Sequence, residues 1–255
     1  MSALEIRNLR KKFGGLLATQ DVSFDVEEHS LTALIGPNGA GKTTLFNLIT
    51  NLFHADSGSV TFDGKLLTGL SPSQIARLGV IRTFQSARVF PGMTVLENAL
   101  AGRHRLLQHG LASQLLWLPS SRREEKALAE RAMALLELVN LGDQAHRPAT
   151  ELPMGAQKLL EVIRALMAQP RLLLLDEPAA GLNDTETAEL SALLRAIQAC
   201  GVTVLVVEHN MSLVMTIATQ VVVLEAGRLI AAGTPAEVQA DKRVIAAYLG
   251  EEPVA

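Results

Sequence analysis

Two kinds of hydrophobic pattern divide this chain. Leu4-Glu5-Ile6-Arg7-Asn8-Leu9 and, further on, residues 18–26 alternate apolar and polar positions, as half-buried antiparallel strands do. Leu31-Thr32-Ala33-Leu34-Ile35, Leu172-Leu173-Leu174-Leu175, Val202-Thr203-Val204-Leu205-Val206-Val207 and Val221-Val222-Val223-Leu224 are instead nearly unbroken apolar runs. Such runs suit strands covered on both faces, as in a parallel sheet. Between them, residues 94–103 and 123–139 show helical periodicity, with Ala127, Leu128, Ala132, Leu135, Leu136 and Val139 on one face. Asp56-Ser57-Gly58 and Asp63-Gly64 are turn signals flanking a short strand. The predicted fold is therefore α/β: a parallel-sheet core with an antiparallel β subdomain around it and a helical insertion. Residues 1–93 and 165–240 make the β subdomain and core, 94–164 the helical subdomain, and 241–255 a C-terminal helix and tail. That last helix carries Val244, Ile245 and Tyr248, and the final five residues are expected to fray.

Composition narrows the partners. A chain of 255 residues is long enough to bury a sizeable core without staples. A net charge of −3, with the two signs intermixed, gives no basic face for nucleic acid. The lone Cys200 cannot form an internal disulfide, and no N-terminal leader pattern is present, so the chain reads as cytosolic. At an apparent helix end before Gly201, Cys200 is expected to be a small buried or half-buried thiol. Residues 106–121 lack acidic and basic groups but are too short and too polar to span a membrane; they are expected to dock on something apolar.

The candidate chemistry starts where the first apolar run ends. Gly36-Pro37-Asn38-Gly39-Ala40-Gly41-Lys42-Thr43 lies between a strand and the helix-like Thr44-Leu45-Phe46-Asn47-Leu48-Ile49. Glycines at this spacing permit turns closed to other residues, so several N–H groups converge on phosphate oxygens and a helix dipole adds partial positive charge. This is a cradle for a nucleoside triphosphate: Lys42 reaches the β- and γ-phosphates and Thr43 holds Mg²⁺. The four leucines at 172–175 end in Asp176-Glu177, two carboxylates at the carboxyl edge of a buried strand. Asp176 is expected to contact Mg²⁺, directly or through water, and Glu177 to polarise the water that attacks the γ-phosphate. His209 follows another buried strand, where it can donate to the γ-phosphate or hold that water. Gln85, after Arg82-Thr83-Phe84, reads on its own as a solvated loop residue.

In order along the chain, the 36–43 loop, Gln85, Leu152-Pro153-Met154-Gly155-Ala156-Gln157, Leu172 to Pro178, Ala179-Ala180-Gly181-Leu182-Asn183 and His209 resemble the ATPase subunits of ABC transporters. The likeness covers nearly the whole chain. It implies the P-loop NTPase fold of those cassettes, ATP with Mg²⁺, and a head-to-tail dimer, homo- or heterodimeric. In that dimer each ATP lies between one subunit's phosphate loop (Gly36, Asn38, Gly39, Ala40, Gly41, Lys42, Thr43, Thr44) and the other's Pro153, Gly155 and Gln157. By the same match Phe13 would stack on adenine, Gln85 would sense Mg²⁺ and transmit closure to a membrane partner, and Asn183 would lie in a loop crossing the dimer interface. Without the resemblance, Phe13 reads as a buried strand-end aromatic.

A narrower likeness lies in Arg82-Thr83-Phe84-Gln85, Phe90-Pro91-Gly92-Met93-Thr94-Val95-Leu96-Glu97-Asn98, Gly102-Arg103-His104, Arg122-Arg123-Glu124-Glu125, Gly233-Thr234-Pro235 and Ala247-Tyr248-Leu249-Gly250. These are similar to the ATPase subunits of branched-chain amino acid importers, a subfamily that also handles urea and short amides. The implied partners are a second ATPase subunit, transmembrane permeases and, indirectly, a periplasmic solute-binding protein, and the implied location is the cytoplasmic face of the inner membrane. A rival from another class, a regulatory or DNA-repair ATPase of the same type, needs a basic groove, a coiled-coil insertion or tandem cassettes, and the sequence shows none of them. A second rival is an assembly protein that binds ATP without useful turnover. The chain departs from its family at Pro153, where a serine is usual. Proline removes the hydroxyl and one N–H that would contact the opposite subunit's γ-phosphate, though it suits the first turn of a helix.

Overall fold

The unbroken apolar runs assemble into a single sheet. The computed structural model describes residues 1–83, 89–105 and 119–249. Its strands are β1 (Ser2–Phe13), β2 (Leu16–Glu27), β3 (Leu31–Ile35), β4 (Ser57–Phe62), β5 (Lys65–Leu66), β6 (Val80–Arg82), β7 (Leu172–Asp176), β8 (Thr203–Val207), β9 (Gln220–Glu225) and β10 (Arg228–Gly233). The helices are α1 (Lys42–Ile49), α2 (Pro72–Arg77), α3 (Val95–Ala101), α4 (Pro119–Glu137), α5 (Met154–Met167), α6 (Asp184–Ala199), α7 (Met211–Ile217), α8 (Pro235–Ala240) and α9 (Lys242–Leu249). Contacts divide the chain into one unit of Met1–Arg82, Arg171–Ala180 and Leu194–Ala255 and another of Thr83–Pro170 and Gly181–Leu193.

In the first unit the larger sheet has the order β10-β9-β3-β8-β7-β6, parallel from β9 to β6, with β10 antiparallel at the edge. Every residue of β3, β7 and β8 is buried, as two-faced coverage requires. Register decides where the chemistry falls. Leu34 and Asp176 both stand beside Val207, so β3, β8 and β7 finish side by side and the loops that leave them share one edge.

The alternating segments form the second sheet, ordered β2-β1-β4-β5 and wholly antiparallel. Its inward residues, Leu4, Ile6, Val22 and Phe24 among them, close over α1 from one side. Leu34, Leu174, Leu205 and Val222 meet α1 from the other. Leu45, Phe46 and Ile49 of α1 are thus fully enclosed, each contributing roughly 1.5–3 kcal/mol by burial. The helix that carries Lys42 is thereby fixed between two sheets.

The second unit is helical. A capping box starts α3: Thr94 Oγ1 accepts from Glu97 N–H (3.2 Å) while the Glu97 carboxylate accepts from Thr94 N–H (2.8 Å). The helix then tightens into a 3₁₀ turn at Gly102–Arg105, where a Cβ on Gly102 would collide with the Arg164 carbonyl. On α4 the predicted face is only half realised. Ala132, Leu136 and, just beyond the helix, Val139 are buried, but Ala127 is exposed, on a stretch carrying Arg123, Glu124, Glu125 and Lys126.

Three strands, β5, β6 and β10, do not show in the sequence pattern; β5 and β6 are too short for any period to appear. Cys200 lies one residue past the end of α6, as expected, but its thiol is exposed rather than buried, because it sits in the turn to Gly201 and not on the helix face. Of 106–121, residues 106–118 lie outside the described residues. Among those described, no helix is long and apolar enough to cross a membrane.

Candidate functional site

The loop after β3 has little conformational choice. Gly41, the N-cap of α1, has φ 99°, and a Cβ there would run into the Ala18 carbonyl oxygen, so only glycine fits. No side chain caps α1, which leaves its first-turn N–H groups open to an anion. The loop is tied from behind: Ala40 O accepts from Gly227 N–H (3.0 Å), and Gly227 O accepts from Gln20 N–H (2.7 Å). Asn38, Gly39 and Thr43 are exposed, Thr44 is half-buried, and Gly36 and Ala40 are buried. The ammonium of Lys42 is folded back on the loop, donating to Gly36 O (2.7 Å) and Pro37 O (3.0 Å). Burial pulls its pKa below the usual lysine value, against the opposing pull of the Glu177 and Asp176 carboxylates.

At the end of β7, Asp176 is almost wholly buried and paired through Oδ2 with Arg82 Nη2 (2.9 Å). Its other oxygen, Oδ1, is buried without a hydrogen-bond partner among the described residues. Burial raises the Asp176 pKa, and the Arg82 guanidinium works against that rise. Arg82 also donates to Asn47 Oδ1 (2.7 Å) and Thr50 Oγ1 (3.3 Å) and lies over the Phe46 ring, so it locks Asp176 to α1. Breaking such a buried pair from one side leaves an uncompensated charge, which is costlier than any exposed ion pair.

Glu177 adopts φ 51°, a left-handed conformation that costs a non-glycine residue about 1–2 kcal/mol. It is held there by its N–H, which donates to Val207 O of β8 (2.9 Å). Its half-buried carboxylate meets His209 Nε2 at 2.9 Å, with the imidazole partly open to solvent. Below this pair lies Glu208, buried, whose Oε1 accepts from Ala179 N–H (2.7 Å) and whose Oε2 accepts from His209 N–H (3.1 Å) and Asn210 N–H (3.4 Å). Burial raises the Glu208 pKa, and those three N–H donors oppose the shift. One carboxylate thus joins the loop after β7 to the loop after β8.

In front of the loop is an open cleft of about 700 Å³, lined among others by Phe13, Ala18, Lys42, Thr44, Glu177 and Ala226. Asn38, Gly39, Ala40, Gly41 and Thr43 line it as well, so the fold brings most of the sequence-derived set together, with Asp176 and His209 joined to it through Arg82 and Glu177. Phe13 ends β1, but the expectation of a buried ring is corrected: the ring is 41% exposed. It packs edge-on against Phe53 (5.3 Å) under Lys11 Nζ (5.4 Å), leaving surface available in the cleft. Gln85 lies outside the described residues.

In the second unit, Pro153 is the N-cap of α5 rather than a residue of its first turn, with φ −54° and ψ 155° and no side-chain cap. Gly155 is buried where any Cβ would collide with the Glu186 carboxylate. Glu186 accepts from Asn183 N–H (3.0 Å) and donates its own N–H to Asn183 Oδ1 (2.9 Å), so the Asn183 loop is held against the helix start at Gly155. Gln157 Nε2 donates back to Leu152 O (2.8 Å). Arg82 and Glu208 have no role in the sequence reading. For Glu208 the available signal was a charge directly after the apolar run ending at Val207; Arg82 ends a three-residue strand that shows no pattern.

The family model for ABC transporters matches residues 19–180, and that for the branched-chain amino acid ATP-binding cassette transporter matches residues 228–254. The chain is 46% identical over 249 residues to BraF, the high-affinity branched-chain amino acid transport ATP-binding protein of Pseudomonas aeruginosa, covering 97% of this chain and 98% of that one. It is 44% identical over 249 residues, with the same coverage, to its counterpart LivG of Escherichia coli K12. Among solved structures, the ADP conformation of MJ1267, an ATP-binding cassette of an ABC transporter, superposes with a TM-score of 0.84 at 34% identity, covering 98% of this chain and 100% of that one.

Proposed function

The chain belongs to the ABC transporter ATP-binding cassettes, whose activity is ATP hydrolysis, and on that premise we propose that it powers an inner-membrane importer of branched-chain amino acids. The observation that carries the solute assignment is the near-full-length similarity to branched-chain amino acid transport ATPases, extending through the C-terminal segment. The chemistry rests on the edge shared by β3, β8 and β7.

In this reading ATP enters the open cleft with adenine against the exposed face of Phe13 and its phosphates in the 36–43 loop. Lys42 leaves the Gly36 and Pro37 carbonyls for the β- and γ-phosphates, exchanging two neutral acceptors for anionic ones. Thr43, exposed in the first turn of α1, and the unpartnered Oδ1 of Asp176 suit a hard cation such as Mg²⁺ and are the groups that would hold it. When bound, Mg²⁺ neutralises charge on the phosphate oxygens. Glu177, oriented by His209 and by the Glu208 link beneath it, takes the proton of the attacking water. Gln85 is assigned to sensing the metal and signalling to the permease, on the resemblance alone.

The site is completed by a second cassette, head to tail, whose Pro153, Gly155 and Gln157 equivalents face the γ-phosphate. Transmembrane permeases hold the pair at the cytoplasmic face, and a periplasmic binding protein delivers the solute. Pro153 then weakens the site of the subunit it faces: its ring caps nothing and offers no hydroxyl. In the assembled complex, Pro153→Ser should raise ATP turnover or nucleotide affinity by roughly 10- to 150-fold, as expected from one charge-assisted hydrogen bond of about 1.5–3 kcal/mol. Steady-state hydrolysis and nucleotide titration of the complex measure this, and no gain in either discards the weakened-site account. The function itself is tested by whether turnover in that complex rises when leucine-loaded binding protein is added.

A further inference from the structure

The two groups that would hold Mg²⁺, Thr43 and Asp176, stand on different elements, and one side chain grips both elements. Asn47 and Thr50 follow Thr43 at i+4 and i+7, so the three share one stripe of α1 and its C-terminal end. From the sheet, Arg82 of β6 stands beside Leu174 of β7. Leu174 packs in the core with α1, and strand residues two apart share a face, so Arg82 and Asp176 are turned toward that same stripe. There the guanidinium forks: Nη2 donates to Asp176 Oδ2 (2.9 Å), while Nη1 donates to Asn47 Oδ1 (2.7 Å) and Thr50 Oγ1 (3.3 Å). Thr50 is fixed in turn, its hydroxyl donating to Phe46 O (2.8 Å). The Arg82 and Asp176 side chains are both nearly buried, which strengthens these contacts.

The fork divides the carboxylate between two tasks. Oδ2 belongs to Arg82, and Oδ1 stays buried without a hydrogen-bond partner among the described residues. A buried acceptor left in that condition is costly, and a cation is the partner that would satisfy it. Without the Arg82 bond either carboxylate oxygen could turn toward a cation; without the Asn47 bond the helix that starts at Thr43 loses a tie to the end of β7. We propose that Arg82 is a positioning residue for the metal ion, fixing which oxygen of Asp176 faces it and how the Thr43 end of α1 stands against that oxygen. The proposal rests on Thr43 and Asp176 being the pair that holds the metal. Arg82 is itself a cation and does not touch the metal; it acts through the two groups that would. Only a planar, two-armed donor can span Asp176 and Asn47 at once, which separates this role from that of a positive charge alone.

The test uses the full chain carrying ADP, with Mn²⁺ as the probe and its paramagnetic resonance as the readout of bound metal. Arg82→Lys keeps the charge but cannot span both partners, and should raise the Mn²⁺ dissociation constant about 10- to 100-fold, the usual effect of removing a group that orients a metal ligand. Asn47→Leu leaves the Arg82–Asp176 pair in place and cuts one tie to α1; it should raise the same constant about tenfold, the low end of that range. Calorimetry of ADP binding in EDTA should give the wild-type affinity for both variants, because the cradle is untouched. An unchanged Mn²⁺ constant in either folded variant, or an equal loss of ADP affinity in EDTA, overturns the positioning role; should Arg82→Lys fail to fold, Asn47→Leu decides alone. Thr43→Val tests the underlying pair: if it leaves Mn²⁺ binding at the wild-type value, the pair is not the holder and the proposal falls with it.

Discussion

Glu177→Gln should lower ATP turnover of the assembled complex about 10³-fold while leaving ATP bound. General-base assistance is typically worth 10²–10⁴, and glutamine has nearly the shape of glutamate without the basicity to take a proton from water. The side-chain amide oxygen can still accept from His209 Nε2, now 2.9 Å from the carboxylate, and the backbone bond to Val207 O is untouched. Nucleotide contacts through Lys42 and the loop amides remain, so the expected signature is a split between intact binding and lost hydrolysis. Steady-state phosphate release with filter binding of labelled ATP on the same preparation measures both. Unchanged hydrolysis removes Glu177 from the role of base; loss of binding shows that the substitution has disturbed the loop instead.

Lys42→Ala should produce the opposite combination, loss of binding and turnover together, with kcat/KM down about 10³-fold. Removing one preorganised cationic donor from a buried site costs 10²–10³, and here the ammonium is the only side-chain cation lining the cleft among the described residues near the loop's helix start. The fold should tolerate the change, because what it removes is two hydrogen bonds to neutral carbonyls, those of Gly36 and Pro37, together with the cost of burying the ammonium. MgADP calorimetry and circular dichroism separate the effects: affinity is lost and the melting curve is retained. Near-native affinity in Lys42→Ala would mean that loop amides and the α1 dipole carry phosphate binding by themselves.

How much of this was legible in the sequence depended on whether a feature was local. The 36–43 loop was legible because glycine spacing dictates backbone shape within a few residues, and the shape is the site. Asp176, Glu177 and His209 were legible because charges after unbroken apolar strands must lie at a sheet edge. The partners of those residues were not, because they come from register. Arg82 reaches Asp176 because a three-residue strand with no visible period pairs beside β7, and Glu208 bridges two loops because β7 and β8 end level. Phe13 and Cys200 show the same limit for burial: their positions at element ends were right, but exposure depends on neighbours that sequence spacing does not name. Pro153 stands at the N-cap of α5 rather than in its first turn, the position where a serine hydroxyl would cap the helix.

Solute uptake tests the central claim most directly. In a strain lacking this chain, uptake of labelled leucine, isoleucine and valine at low external concentration should be lost. The wild-type chain should restore it, and the Glu177→Gln chain, which still binds ATP, should not. Undiminished uptake of all three amino acids in the deletion strain, or loss of urea or short-amide uptake in their place, would contradict the assignment.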